Sequence, residues 1–155
     1  LEMAVGRLLR EKGRTIATAE SCTGGNIARL ITNNPGSSEY YPGSVVAYSN
    51  AMKIKLLGVD EQLIEDHGAV SEPVVRAMAG AAREIFDTDY ALATSGIAGP
   101  DGATPGKPVG TLWTAVASAG GIHAEKHTFG ADRLTNIGRF SNLALNMLRK
   151  QIIKD

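Results

Sequence analysis

Apolar and polar positions alternate along this chain in blocks that switch between helical and strand spacing. Val5, Leu8 and Leu9 share one helical face within residues 3–12, and Gly13 is a stop signal, so the first element is predicted to be a helix laid on a sheet. Residues 15–19 read as a short buried strand, and Asn26-Ile-Ala-Arg-Leu-Ile returns to helical spacing. Asn33-Asn-Pro-Gly supplies a turn ahead of a second strand at residues 44–49. Asn50 is read as the cap of a short helix ending near Gly58. Ser71-Glu-Pro combines a cap, a first-turn acid and a proline, which predicts a long alanine-rich helix through Phe86. Residues 90–95 form a third strand. Residues 109–117 and 122–129 form two more, joined as a hairpin at Ala119-Gly-Gly. The last element is an amphipathic helix over residues 134–153, with Ile137, Phe140, Ala144, Met147 and Leu148 on its apolar face.

This order of elements predicts an α/β fold, a three-layer α/β/α sandwich with a mixed β-sheet, built as one domain over residues 1–155. Between the third strand and the hairpin runs Gly96-Ile-Ala-Gly-Pro-Asp-Gly-Ala-Thr-Pro-Gly-Lys-Pro, too rich in glycine and proline for regular structure. Long loops inside compact domains usually serve function, so it is read as a binding loop.

Composition narrows the partners. Sixteen basic and sixteen acidic residues cancel, with no block of like charge, which argues against binding nucleic acid or an anionic membrane and favours a small-molecule ligand. The only cysteine, Cys22, excludes an intramolecular disulfide and a cysteine-based zinc cage, and suits a cytoplasmic, reducing setting. No segment has the apolar length of a membrane span. His123 and His127 share one side of a strand about 13 Å apart, too far to ligate one metal ion directly, so no metal and no cofactor is expected. Soluble enzymes of this size are usually homo-oligomers, and the small residues of the 72–86 helix suit packing across a subunit boundary.

The chemically densest stretch is Thr18-Ala-Glu-Ser-Cys-Thr-Gly-Gly25, which sets a hydroxyl, a thiol and a carboxylate at a turn from strand to helix. Ser21 and Thr23, with Gly24 in the bend, would lie near a helix N-terminus, where unpaired N–H groups bind anions or a developing oxyanion. Taken alone, Ser21 reads equally as a helix cap, Cys22 as a small core residue, Tyr48 as sheet packing, and Lys53 as a solvated charge like Lys55. Glu20 has two readings, orienting Lys53 or pairing with Arg29.

Ala19-Glu-Ser-Cys-Thr-Gly-Gly, Tyr48-Ser-Asn with Lys53 following, Ser95-Gly-Ile-Ala-Gly-Pro-Asp-Gly and Lys107-Pro-Val-Gly-Thr-Leu-Trp together resemble the CinA C-terminal domain family, in the same order and over nearly the whole chain. The family's characterised activity is nicotinamide-nucleotide amidase, releasing ammonia from nicotinamide mononucleotide. The resemblance implies Ser21 as nucleophile, Lys53 as general base, and Tyr48 as a hydroxyl assisting proton transfer or orientation. It implies Ser95 and Gly96 as ligand contacts and Arg133 as a phosphate-gripping residue near the start of the last helix; a further family arginine is replaced by Ile137, with Arg139 offset by two. It also implies a stand-alone deamidase or one domain of a fused protein. Carboxamide hydrolysis needs such a set: a nucleophile, a base that later protonates ammonia, and oxyanion donors. For Lys53 to serve near neutral pH, its pKa must fall by roughly three units from about 10.4. Two other readings stand beside the amidase: a nucleotide-sensing or assembly module, and an amidase for another small amide.

Overall fold

Alternate residues of the central strands differ in bulk, and that difference sorts the helices onto the two faces of the sheet. In the computed structural model, which describes residues 1–155, the strands are β1 (Ile16–Glu20), β2 (Gly43–Val46), β3 (Tyr90–Gly96), β4 (Thr111–Ser118) and β5 (Gly121–Thr128). They form one sheet in the order β2-β1-β3-β4-β5. β1 pairs in parallel with β2 and β3, while β3–β4 and β4–β5 are antiparallel, so the sheet is mixed.

Ile16, Tyr90, Leu92 and Val116 project to one side, where they meet α1 (Glu2–Lys12), α2 (Asn26–Thr32) and α6 (Arg133–Lys154). The opposite side presents Ala19, Ala91, Ala93, Ala115 and Ala117, and on it lie α3 (Asn50–Leu57), α4 (Glu61–His67) and α5 (Glu72–Phe86). An alanine surface lets a helix approach closely, and α5 answers with Val75, Met78, Ala79 and Ala82, all fully buried. The small residues of α5 therefore pack against the sheet of their own chain, which accounts for them without a subunit boundary. No helix is long and apolar enough to cross a membrane.

Three local features depart from the sequence reading. β2 stops at Val46, not residue 49: Ala47 N–H still donates to the Glu20 carbonyl at 2.9 Å, and the chain then leaves the sheet. Helix α3 is capped by Ser49, not Asn50; the Ser49 side chain accepts from Met52 N–H. A further helix, α4, follows it, started by the Asp60 carboxylate accepting from Gln62 N–H. The hairpin is as expected, with Ser118 paired to Gly121 across an Ala119-Gly120 turn.

The glycine- and proline-rich loop is anchored at its neck. Gly110 N–H donates to the Ile97 carbonyl at 2.7 Å and Ile97 N–H to the Thr111 carbonyl at 2.8 Å, and the Lys107 amine donates to the His67 carbonyl at the end of α4. Gly110 has φ 89°, and any Cβ there would overlap the Phe129 carbonyl, so only glycine closes this neck.

Candidate active site

β1 is the point where the chain reverses its direction of travel across the sheet, to β2 on one side and to β3 on the other. Such a switch point leaves a crevice beyond the carboxyl ends of the strands. Here the crevice is a cavity of about 260 Å³, lined among others by Ser21, Cys22, Tyr48, Lys53, Ser95, Gly96, Asp101 and Arg133.

Ser21 directly follows β1, its N–H held by the Thr94 carbonyl of β3 at 3.1 Å. Its Oγ lies 2.9 Å from Lys53 Nζ. Lys53 points inward from the first turn of α3 and is only 2% exposed, whereas Lys55 is exposed. The early end of β2 turns the next two carbonyls toward the same amine, which donates to Ala47 O at 3.1 Å and Tyr48 O at 3.3 Å. No carboxylate is among these partners, and burial lowers the Lys53 pKa from its ordinary 10.5. The protonated amine donates to the Ser21 hydroxyl; once it sheds a proton, the two carbonyls, which can only accept, hold its N–H bonds and leave the lone pair to that hydroxyl.

The neighbouring thiol is chemically silent: burial pushes the Cys22 pKa up to about 12, so the nucleophilic thiolate is absent at neutral pH. The Cys22 backbone N–H, one residue beyond Ser21, donates to no other residue and faces its own sulfur.

Glu20 takes neither of the roles read from the sequence. Its fully buried carboxylate accepts from the Thr23 hydroxyl at 2.6 Å and from Gly25, Ile27 and Ala28 N–H at 3.0, 3.1 and 2.8 Å. The amides at the start of α2, expected to receive a substrate anion, are thus filled by the chain's own carboxylate, which complements the positive end of the helix. Thr23 is drawn inward with it, its hydroxyl also 2.8 Å from that of Thr94, and neither Thr23 nor the exposed Gly24 lines the cavity. Both build the turn that presents Ser21 and stand outside the cavity lining.

Tyr48 lines the cavity but is 58% exposed, and its hydroxyl accepts from Arg133 Nη2 at 2.8 Å instead of contacting Ser21 or Lys53. Arg133 Nη1 donates to the Gly99 carbonyl at 2.7 Å, so one guanidinium joins α6, the loop and Tyr48, two residues past β2. Arg139 stacks over Phe129, outside the cavity lining. Ser95 and Gly96 both line the cavity; the Ser95 hydroxyl donates to the Ala69 carbonyl at 2.8 Å. A Cβ at Gly96 would come within 2.6 Å of the Thr111 carbonyl, so a larger residue would displace the wall next to Cys22. His123 and His127 flank Glu125 on β5, at 3.3 and 3.1 Å from its two oxygens, apart from this cavity.

Two residues of the site escape the sequence reading. Asp101 carries a carboxylate on the cavity. Asn136, fully buried in the first turn of α6, donates to the Ala98 carbonyl at 3.1 Å and the Ala131 carbonyl at 2.8 Å, tying the loop to the segment that carries Arg133. A polar residue interrupting the apolar side of an amphipathic helix is the signal that points to it.

Residues 1–152 match the family model "CinA C-terminal domain". A CinA-like protein of Salinibacter ruber is 49% identical over 152 residues, covering 98% of this chain and 37% of that protein. One of Gloeobacter violaceus is 49% identical, covering 99% of this chain and 36% of its own length. The chain therefore spans little more than a third of these curated relatives. Among solved structures, a CinA superfamily protein from Klebsiella pneumoniae superposes with a TM-score of 0.96 at 32% identity, covering 99% of this chain and 96% of that one. A competence/damage inducible protein from Agrobacterium tumefaciens gives 0.90 at 34% identity, covering 95% and 92%. By sequence and by fold, this chain belongs to the CinA family, matching its C-terminal domain.

Proposed function

We propose that this domain is a serine amidase that hydrolyses the carboxamide of nicotinamide mononucleotide to nicotinate mononucleotide and ammonia. The observation that carries the reading is the Ser21–Lys53 contact at 2.9 Å, with the amine buried, unpaired by any carboxylate, and oriented by two carbonyls. A serine hydroxyl becomes nucleophilic when an adjacent base accepts its proton, and an uncharged lysine amine is such a base.

In the first half-reaction the Ser21 proton passes to Lys53 Nζ as Oγ bonds to the carboxamide carbon, and the carbonyl electrons move onto oxygen. The Cys22 N–H receives that oxyanion. Collapse of the tetrahedral adduct breaks the C–N bond, Lys53 returns the proton to the departing nitrogen, and ammonia leaves. Water then gives a proton to Lys53 and attacks the ester, and Ser21 leaves with the proton restored. Arg133 supplies the cation for the phosphate, exchanging its neutral acceptors for charge-assisted bonds.

The test is ammonia release from nicotinamide mononucleotide by the purified protein and by Ser21→Ala. Turnover by the first and none by the second is expected. Binding without ammonia points instead to a sensing module, and preferred turnover of other amides to a different substrate.

A further inference from the structure

The cavity is lined by one basic and one acidic side chain that the reaction does not use, Arg133 and Asp101. They do not pair. Arg133 bonds the Gly99 carbonyl and the Tyr48 hydroxyl, both neutral acceptors. Asp101, two residues beyond Gly99, is exposed at the mouth of the cavity, and its carboxylate has no hydrogen-bond or ion-pair partner in the chain. Lys53 does not complete it, since that amine is turned to Ser21, Ala47 and Tyr48.

The loop carrying Asp101 is held in place without it. Ile97 and Gly110 close its neck, Lys107 ties it to the end of α4, and Asn136 holds the Ala98 carbonyl. A carboxylate that supports no fold contact, on an anchored wall facing an arginine-bearing cleft, is complementary to a ligand with one negative and one positive group. It gives no charge attraction to a ligand whose second group is uncharged, and it repels an anionic one.

Resting on the amidase reading, we propose that Asp101 is a specificity-determining residue that faces the substrate's pyridinium ring and selects the cationic base over uncharged ones. The mononucleotide fits this pair of charges in one orientation, phosphate toward Arg133 and ring toward Asp101. The same mononucleotide with its ring reduced to the dihydropyridine keeps phosphate, ribose and carboxamide but loses the positive charge, so it isolates the contribution of Asp101.

The experiment compares wild type with Asp101→Asn, an isosteric change that removes only the charge. The KM for the oxidised mononucleotide should rise about fivefold, the upper end of what one exposed ion pair contributes. The inhibition constant of the reduced mononucleotide should move by less than about twofold. Asp101→Glu should recover most of the selectivity. An equal rise in both constants would assign Asp101 to loop structure, and no rise in either would remove it from recognition; both results overturn the proposal. Should the wild type release no ammonia at all, the amidase reading fails separately. Calorimetric dissociation constants for the oxidised and reduced mononucleotides still decide the role of Asp101, by the presence or absence of a preference that Asp101→Asn abolishes.

Discussion

Arg133 Nη2 donates to the Tyr48 hydroxyl at 2.8 Å, a bond that joins the start of the last helix to the residue two positions past β2. The tyrosine thereby supports the arginine, and its hydroxyl makes no hydrogen bond to Ser21 or Lys53. Tyr48→Phe keeps the ring and removes only the acceptor, while Arg133 retains Gly99. It should raise KM for the mononucleotide by about threefold and leave kcat within about twofold, the worth of one exposed hydrogen bond. Arg133→Ala, which removes the charge itself, should raise KM by roughly tenfold to a hundredfold. Steady-state kinetics on both variants checks this. A hundredfold loss of kcat in Tyr48→Phe at constant KM would instead place the phenol in proton transfer.

A buried amine without a carboxylate partner predicts two pH dependences. Burial lowers the Lys53 pKa, so kcat/KM should climb with pH on a limb whose midpoint lies below 10.5. Lys53→Arg stays protonated across that range and should lose roughly 10²–10⁴ of activity at every pH. The same shift acts on folding. Between the lowered folded value and 10.5, the unfolded chain holds a proton that the folded chain has released, so stability rises with pH across that window. Below the window the penalty for burying the ammonium is fully present. Denaturant midpoints of wild type and Lys53→Met, compared from neutral pH upward, should therefore show wild type gaining on the variant. A difference that stays constant with pH would mean the amine titrates normally.

Glu20 predicts a stability effect at the turn that carries Ser21. Four donors converge on its carboxylate in a site with no solvent access, three of them amides at the start of α2. Glu20→Ala orphans all four and should cost about 3 kcal/mol or more, read as a shift of the urea midpoint at unchanged slope. Glu20→Gln, which keeps one acceptor oxygen and turns an NH₂ group toward the remaining donors, should fall between the two. An alanine variant as stable as wild type would show that water replaces the carboxylate and that α2 starts without it.

The contrast between Glu20 and Lys53 explains how far the sequence carries. Helices and strands whose periodicity is reinforced by turn chemistry, such as α1 before Gly13 or the hairpin at Ala119-Gly120, are legible because local propensity and burial agree. Helix α4 has only seven residues, too few for periodicity to register, and its start depends on a single Asp60 cap. The end of β2 is illegible for another reason: Ala47 and Tyr48 suit a strand, but a lysine six residues further on claims their carbonyls. Ser21 and Lys53 stand 32 positions apart and became paired candidates through family likeness, not through spacing. Glu20 is illegible because three of its four partners are backbone amides, which every sequence contains and none advertises.

Asn136 gives the last prediction, since its buried amide ties the cavity loop to the turn bearing Arg133, beside the bond from Arg133 itself to Gly99. Its Nδ2 faces two carbonyls, Ala98 O and Ala131 O, while its Oδ1 is buried with no partner, so only a donor suits this position. Asn136→Ala leaves both carbonyls unpaired and should cost about 2 kcal/mol or more, with KM rising as the loop and the arginine lose their common anchor. Asn136→Asp is the more telling change. An ionised carboxylate there meets two carbonyl oxygens, so its folded pKa must rise above the usual 3.9 or so, and the folded state holds a proton the unfolded chain gives up. The variant should accordingly lie nearest wild type at low pH and lose stability as pH climbs through the interval between the two values. Chemical denaturation of Asn136→Asp between about pH 4 and pH 8 reads the trend directly. A flat profile would show the aspartate reaching solvent, and with it that the loop and α6 part easily when this single donor is gone.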